Sequence, residues 1–226
     1  MRDGYLIESD ENTWTLTELG HEAILRLPLD VLRNSREIVR LYSPLTSQQL
    51  LDVVYSRHPW FTGKAVRETR RAVTQPQVSP AVYTIGYERF LVDGFMDELL
   101  RCGIQRIIDV RNNPASRRYG FHGSTLSRIC QSLDLEYQHF PSVGIPALER
   151  SGLGDTASYE RLFAMYESGI LPAQGEVIAQ IATLLVEKPS ALMCMEADPD
   201  SCHRLRLAKA VAPVANLPIV HLGWPR

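Results

Sequence analysis

The twelve residues from Met193 to Arg204, MCMEADPDSCHR, hold a glutamate, two cysteines, a histidine and an arginine behind an apolar run. Three chemistries suit that set. Glu196 at a strand end could act as general acid or base, with His203 and Arg204 at a helix start holding or polarising an anionic substrate. Cys202 could act as a nucleophile, its thiolate favoured by the helix amino terminus and by His203 and Arg204. Cys194, Glu196, Cys202, His203 and His139 could instead ligate zinc. Spacing counts against the metal: there is no CxxC pair, Cys194 is expected inside a buried strand, and adjacent Cys202 and His203 point different ways on a helix. No metal and no cofactor are expected. A carboxylate among bases needs the fewest assumptions, because a buried Glu196 without a partner would be costly.

A second group lies in DVRNNPASRRYGF. Asp109 and Arg111 are two apart at a strand end and share a face. An arginine oriented by a carboxylate is suited to bidentate capture of phosphate or carboxylate. Asn112, Asn113, Ser116, Arg117 and Arg118 continue a donor-rich loop. A structural ion pair tying this loop to the sheet accounts for the same residues, and both readings stand. In TIGYE, Gly86 permits close approach of a backbone or ligand, but neither GxGxxG nor a Walker pattern is present. Tyr87 could stack on a base or sugar, or cover the core. PSVGIP, with Gly144, is expected to wall the same pocket, and His122 to lie in solvent.

These residues need elements to position them. Strands are predicted at 81–86, 105–110, 136–140, 190–195 and 217–222. Helical periodicity covers Phe90–Arg101, residues 124–133, Tyr159–Glu167, Gln174–Glu187 and Ser201–Val211. Strands alternating with helices predict an α/β fold with a mostly parallel sheet and helices on both faces. Ligands of such sheets bind beyond the carboxyl ends of the strands. Gly86, Tyr87, Asp109, Arg111, His139 and Glu196 all fall at or just after strand ends.

The uncharged segment TQPQVSP (74–80) marks a boundary, giving a first part over 1–78 and an α/β domain over 79–226. The first part is predicted to be a small α+β segment. Two alternating runs, Tyr5–Glu8 and Trp14–Leu16, flank a polar turn, and Thr17 offers a cap to a helix from Glu18. This is similar to the wing hairpin and following helix of a winged-helix module whose front half is missing before Met1. Lys64, Arg67 and Arg71 are expected on one face of a helix, in contact with phosphates or simply solvated.

With 45% hydrophobic and 22% charged residues, the 226-residue chain has an ordinary globular composition. Its net charge of −2 offers no global basic field for nucleic acid, so such a contact requires a local patch. No apolar run near eighteen residues and no signal-peptide pattern is evident, so no membrane contact is expected and the cytoplasm is the default location. The four cysteines are then expected as free thiols.

Taken in order, YTIGYE, GI-x(3)-IDVR-x(2)-P-x-SR, EYQHFPSVG, LMCMEADPDSCHR and IVHL resemble the domain-of-unknown-function family 488 over about residues 81–222. The resemblance implies an α/β fold and carries the family's typical positions onto Gly86, Asp109, Arg111, Pro114, Ser116, Arg117, Gly144, Cys194, Glu196, Cys202, His203 and Arg204. It implies no established activity. The expected function is an enzyme acting on a phosphate-bearing substrate, a nucleic acid or nucleotide, by hydrolysis of a glycosidic or phosphoester bond. Catalysis would fall to Glu196, Asp109, Cys202 and His203, and substrate binding to Gly86, Tyr87, Arg111, Ser116, Arg117 and Arg204. The alternative is a non-catalytic ligand-sensing or nucleic-acid-binding module.

Overall fold

A computed structural model describes residues 4–8, 14–64, 76–150 and 154–223. Its internal contacts divide the chain after Val53. In the first unit, β1 (Leu6–Glu8) and β2 (Trp14–Leu16) form an antiparallel hairpin with Leu6 opposite Leu16. The Thr17 hydroxyl accepts from the Gly20 amide and caps α1 (Glu18–Leu25). Pro28 then leads into α2 (Leu29–Tyr42), and α3 (Ser47–Arg57) crosses the division. Arg67 and Arg71, expected on a basic helix face, lie outside the described residues.

The second unit is an α/β sandwich of layers. Its entry is pinned by Asp97, which accepts from the Trp60 amide at 2.8 Å and pairs with His58 at 3.2 Å. The strands are β3 (Val82–Gly86), β4 (Arg106–Asp109), β5 (Glu136–His139), β6 (Ser190–Cys194) and β7 (Ile219–His221). They form one parallel sheet in the order β5-β4-β6-β3-β7. The helices are α4 (Val92–Arg101), α5 (Gly123–Ser132), α6 (Thr156–Met165), α7 (Gly175–Glu187) and α8 (His203–Ala215).

Strands buried on both faces read as near-continuous apolar runs, and their two-residue period sorts side chains between the layers. Tyr83, Ile85, Ile107, Ala191 and Met193 pack with α4 and α5. Val82, Ile108, Leu192 and Cys194 turn to the opposite face, against α6, α7 and α8. The expected sheet with helices on both faces is what forms.

A π turn (Tyr166–Ile170) and a 3-10 turn (Leu171–Gln174) join α6 to α7. Contrary to the sequence reading, this helical run, Ala157–Glu187, is long and apolar enough to cross a membrane by length and composition. In the fold, its Tyr166, Leu171, Ile178, Ile181 and Leu185 fill the core, which accounts for their apolar character.

Candidate functional site

Register brings the strand ends level. Gly86 lies beside Cys194, and Asp109 lies between Met193 and His139. Beyond this edge, the Tyr87 and Glu88 amides donate to the carbonyls of Cys194 and Met195 at 3.2 and 2.9 Å, carrying β3 alongside the start of the β6–α8 loop. The loop then crosses Gly86 so closely that an added Cβ would stand 2.6 Å from the Glu196 carbonyl carbon. Gly86 therefore makes room for the chain's own backbone, not for a substrate as expected.

Arg204 is likewise turned inward. It is 1% exposed, donating to the Glu196 carbonyl and, at 2.9 Å, to that of Ala197. The Glu88 carboxylate accepts from the Ala197 amide at 2.9 Å from the other side. The expected anion-binding Arg204 is thus a clamp that sets the backbone under Glu196. Glu88, two residues beyond the end of β3, is its counterpart.

Asp109 and Arg111 resolve in the same direction. Asp109 is fully buried and accepts from Arg111 Nε at 2.8 Å, Arg111 Nη2 at 2.5 Å, the Arg111 amide at 3.1 Å and the Tyr137 hydroxyl at 2.6 Å. Arg111 is 4% exposed, and its Nη1 donates to the Phe121 carbonyl and the Tyr87 hydroxyl. Burial disfavours the guanidinium charge, but hydrogen bonds and attraction from Asp109 outweigh it and raise the Arg111 pKa. Tyr87 is buried and stacked on Phe121, ring centroids 4.3 Å apart. The structural ion pair is therefore the reading that holds. Asp109 has no capacity left for catalysis, Arg111 is committed within the fold, and Tyr87 covers the core.

The remaining loop residues do not converge on one point. The Ser116 hydroxyl accepts from the Arg118 amide at 3.1 Å, while Arg117 is exposed. Arg118 donates to the carbonyls of Glu88 and Phe90. His139 Nε2 lies 2.8 Å from the Arg111 carbonyl and fastens the loop to β5. Ile145, beside Gly144, lines a small cavity with Arg111, Asn112 and Asn113, separate from the cleft that Glu196 lines.

Cys194, Glu196, Cys202 and His203 meet at the end of β6. Cys202 caps α8 and His203 is its first residue. Both are buried, and burial pushes the Cys202 thiol well above its ordinary range. A neutral, enclosed thiol does not suit the expected nucleophile. Cys194 Sγ lies 3.2 Å from Glu196 Oε2 and 3.7 Å from His203 Nδ1. The expectation that Cys202 and His203 diverge also fails, because the end of the loop turns both towards Cys194: the ligand atoms of all three lie within 4.8 Å of one another. Burial raises the Glu196 carboxyl, but hydrogen bonds from Cys202, its own backbone and Cys194 bring it below its ordinary value. Glu196 is therefore ionised at neutral pH, which suits a base and not an acid.

Two clefts flank this point. The larger, about 710 Å3, is lined by the carboxylates of Glu88, Asp155, Glu160, Glu196, Asp198 and Asp200, with Arg206 facing them. Arg206 lies over the Phe163 ring at 4.3 Å and donates to the Asp200 carbonyl at 2.8 Å. The smaller, about 130 Å3, includes Asn113, Arg150 and Cys194. Asp155 and Glu160 come from the start of α6, far from the other residues in sequence, and no local motif announces them.

A parallel α/β sheet with polar side chains gathered at its carboxyl edge defines the general class. More specifically, the family profile described as "Domain of unknown function DUF488" matches residues 91–211, more than half of the chain, and the chain belongs to that family. No curated protein and no solved structure matches it.

Proposed function

We propose that this chain is a hydrolase that cleaves a glycosidic bond in a nucleotide or nucleic-acid substrate, with Glu196 as the working carboxylate. The observation that supports it is an ionised, half-buried glutamate opening on a cleft of about 710 Å3 walled by further carboxylates. When a glycosidic bond lengthens, positive charge develops on the sugar, and a negative field stabilises it. Phosphoester hydrolysis spreads negative charge over the transferring group, which the same carboxylates oppose. The electrostatics thus favour the glycosidic bond of the two.

Glu196 takes a proton from water as the water oxygen bonds to the anomeric carbon, and the electron pair of the broken bond leaves with the departing base. Arg111 and Arg204 are engaged internally, so substrate phosphate falls to the smaller cavity, where Asn113 and Arg150 offer donors.

The test is a mass-spectrometric turnover screen of the purified chain. Nucleosides, nucleotides, dinucleotide cofactors and single- and double-stranded oligonucleotides, including ones with modified bases, are offered beside Glu196→Gln. A released base that falls on the order of 100-fold or more in the variant supports the reading. Turnover unchanged in Glu196→Gln refutes it. A thermal shift from one ligand with no product moves the protein to the ligand-sensing alternative.

A further inference from the structure

We infer that Cys194, Cys202 and His203 form a binding site for a thiolate-seeking divalent metal of the zinc class. Their ligand atoms lie within 4.8 Å of one another, with Cys194 Sγ and His203 Nδ1 separated by 3.7 Å. Zinc binds sulfur at about 2.3 Å and nitrogen at about 2.0 Å, which in a tetrahedron separates the two ligands by roughly 3.6 Å. The observed spacing is that of a tetrahedral edge.

The imidazole is presented in the ligand form. His203 Nε2 stands 3.0 Å from the Val110 carbonyl, which can only accept, so Nε2 carries the hydrogen. Nδ1 is left with its lone pair directed at the sulfur of Cys194. A hydrogen bond from the outer nitrogen to a carbonyl is the arrangement that orients metal-binding histidines. The Tyr166 ring, in a T-shaped contact with centroids 5.5 Å apart, packs against the imidazole as well.

Each of the three residues is at most 2% exposed and belongs to a strand end or a helix start, so the set is preorganised. Two sulfurs and an imidazole select zinc or cobalt over magnesium or calcium. Cys194 also lines the cavity of about 130 Å3, which supplies an entry path. Three ligands leave a fourth position, and Glu196 Oε2, 3.2 Å from Cys194 Sγ, borders it. The inference goes beyond the hydrolase reading and does not depend on it, because its test reads binding and not turnover.

The full chain is stripped of metal under reducing conditions and titrated with cobalt(II). Thiolate-to-cobalt charge-transfer bands and visible bands of tetrahedral intensity should saturate at one ion per chain and vanish on adding zinc(II). Cys194→Ser, Cys202→Ser and His203→Ala should each weaken cobalt binding on the order of 100-fold or more, while Cys102→Ser leaves it unchanged. Wild-type protein that develops no such bands overturns the inference whatever the variants do. So does a wild-type spectrum and affinity retained in both Cys194→Ser and Cys202→Ser.

Discussion

Asp109→Asn separates a structural ion pair from a catalytic one. Asp109 accepts four hydrogen bonds, and two of them hold a guanidinium that is only 4% exposed. The amide keeps the shape but removes the charge, leaving Arg111 buried without a counter-ion. Breaking a buried pair from one side costs about 3–5 kcal/mol, a large part of the roughly 5–15 kcal/mol that holds a domain folded. For a chain of this size, the melting midpoint should fall by roughly 6–20 °C. Asp109→Asn combined with Arg111→Met removes both charges and should recover most of that loss, giving a large coupling in the double-mutant cycle. Thermal and urea unfolding measure the total, and hydrogen exchange of the β4 amides reports the α/β unit alone. A single variant within about 1 kcal/mol of wild type, or a double variant no more stable than the single, would refute the reasoning. A stable Asp109→Asn protein without activity would return Asp109 to the catalytic role that its sequence position suggested.

Other outcomes follow from the same edge. Gly86→Ala drives a Cβ into the Glu196 carbonyl and should destabilise by at least the 1–3 kcal/mol typical of overpacking, about the cost of moving the loop; an unchanged melting curve would contradict it. Iodoacetamide on the native chain should modify half-buried Cys102 well before Cys130, Cys194 and Cys202, which are enclosed; peptide mapping of Cys202 at the rate of Cys102 would count against the packing described. Burial, with the Arg204 charge added and Asp200 opposing, holds the His221 pKa below 6.5, and its Nδ1 lies 2.7 Å from the Thr84 hydroxyl. The unfolded chain then binds that proton first on acidification, so the contribution is complete above 6.5 and is lost as pH falls through 6.5 towards the lower folded value. His221→Gln should flatten the stability-against-pH curve in that window, and an unaltered slope would show that the titration lies elsewhere.

The strands were legible because a parallel sheet buried on both faces writes runs such as RIID and SALMC, and the polar residues that follow them mark the carboxyl edge. The Thr17 cap was legible for a similarly local reason, since a threonine oxygen needs only the amide three residues on. Helix ends shifted slightly: α8 begins at His203 with Cys202 as its cap, two residues later than the periodicity suggested. The acidic cleft was not legible, because Asp155 and Glu160 reach Glu196 only through the packing of α6 on the sheet.

What the sequence determined by itself was therefore the alternation of elements and the set of reactive residues delivered to one edge. Both follow from short-range periodicity. Only the tertiary structure decided what those residues face. Arg111 and Arg204 could equally have met a phosphate or the chain's own acceptors, and burial at the sheet edge bound them to Asp109 and to the carbonyls of Glu196 and Ala197. Cys202 and His203, adjacent in sequence, were brought against Cys194 by the path of a loop. Most buried polar groups find a partner, but which partner they find depends on contacts that no local window of sequence contains.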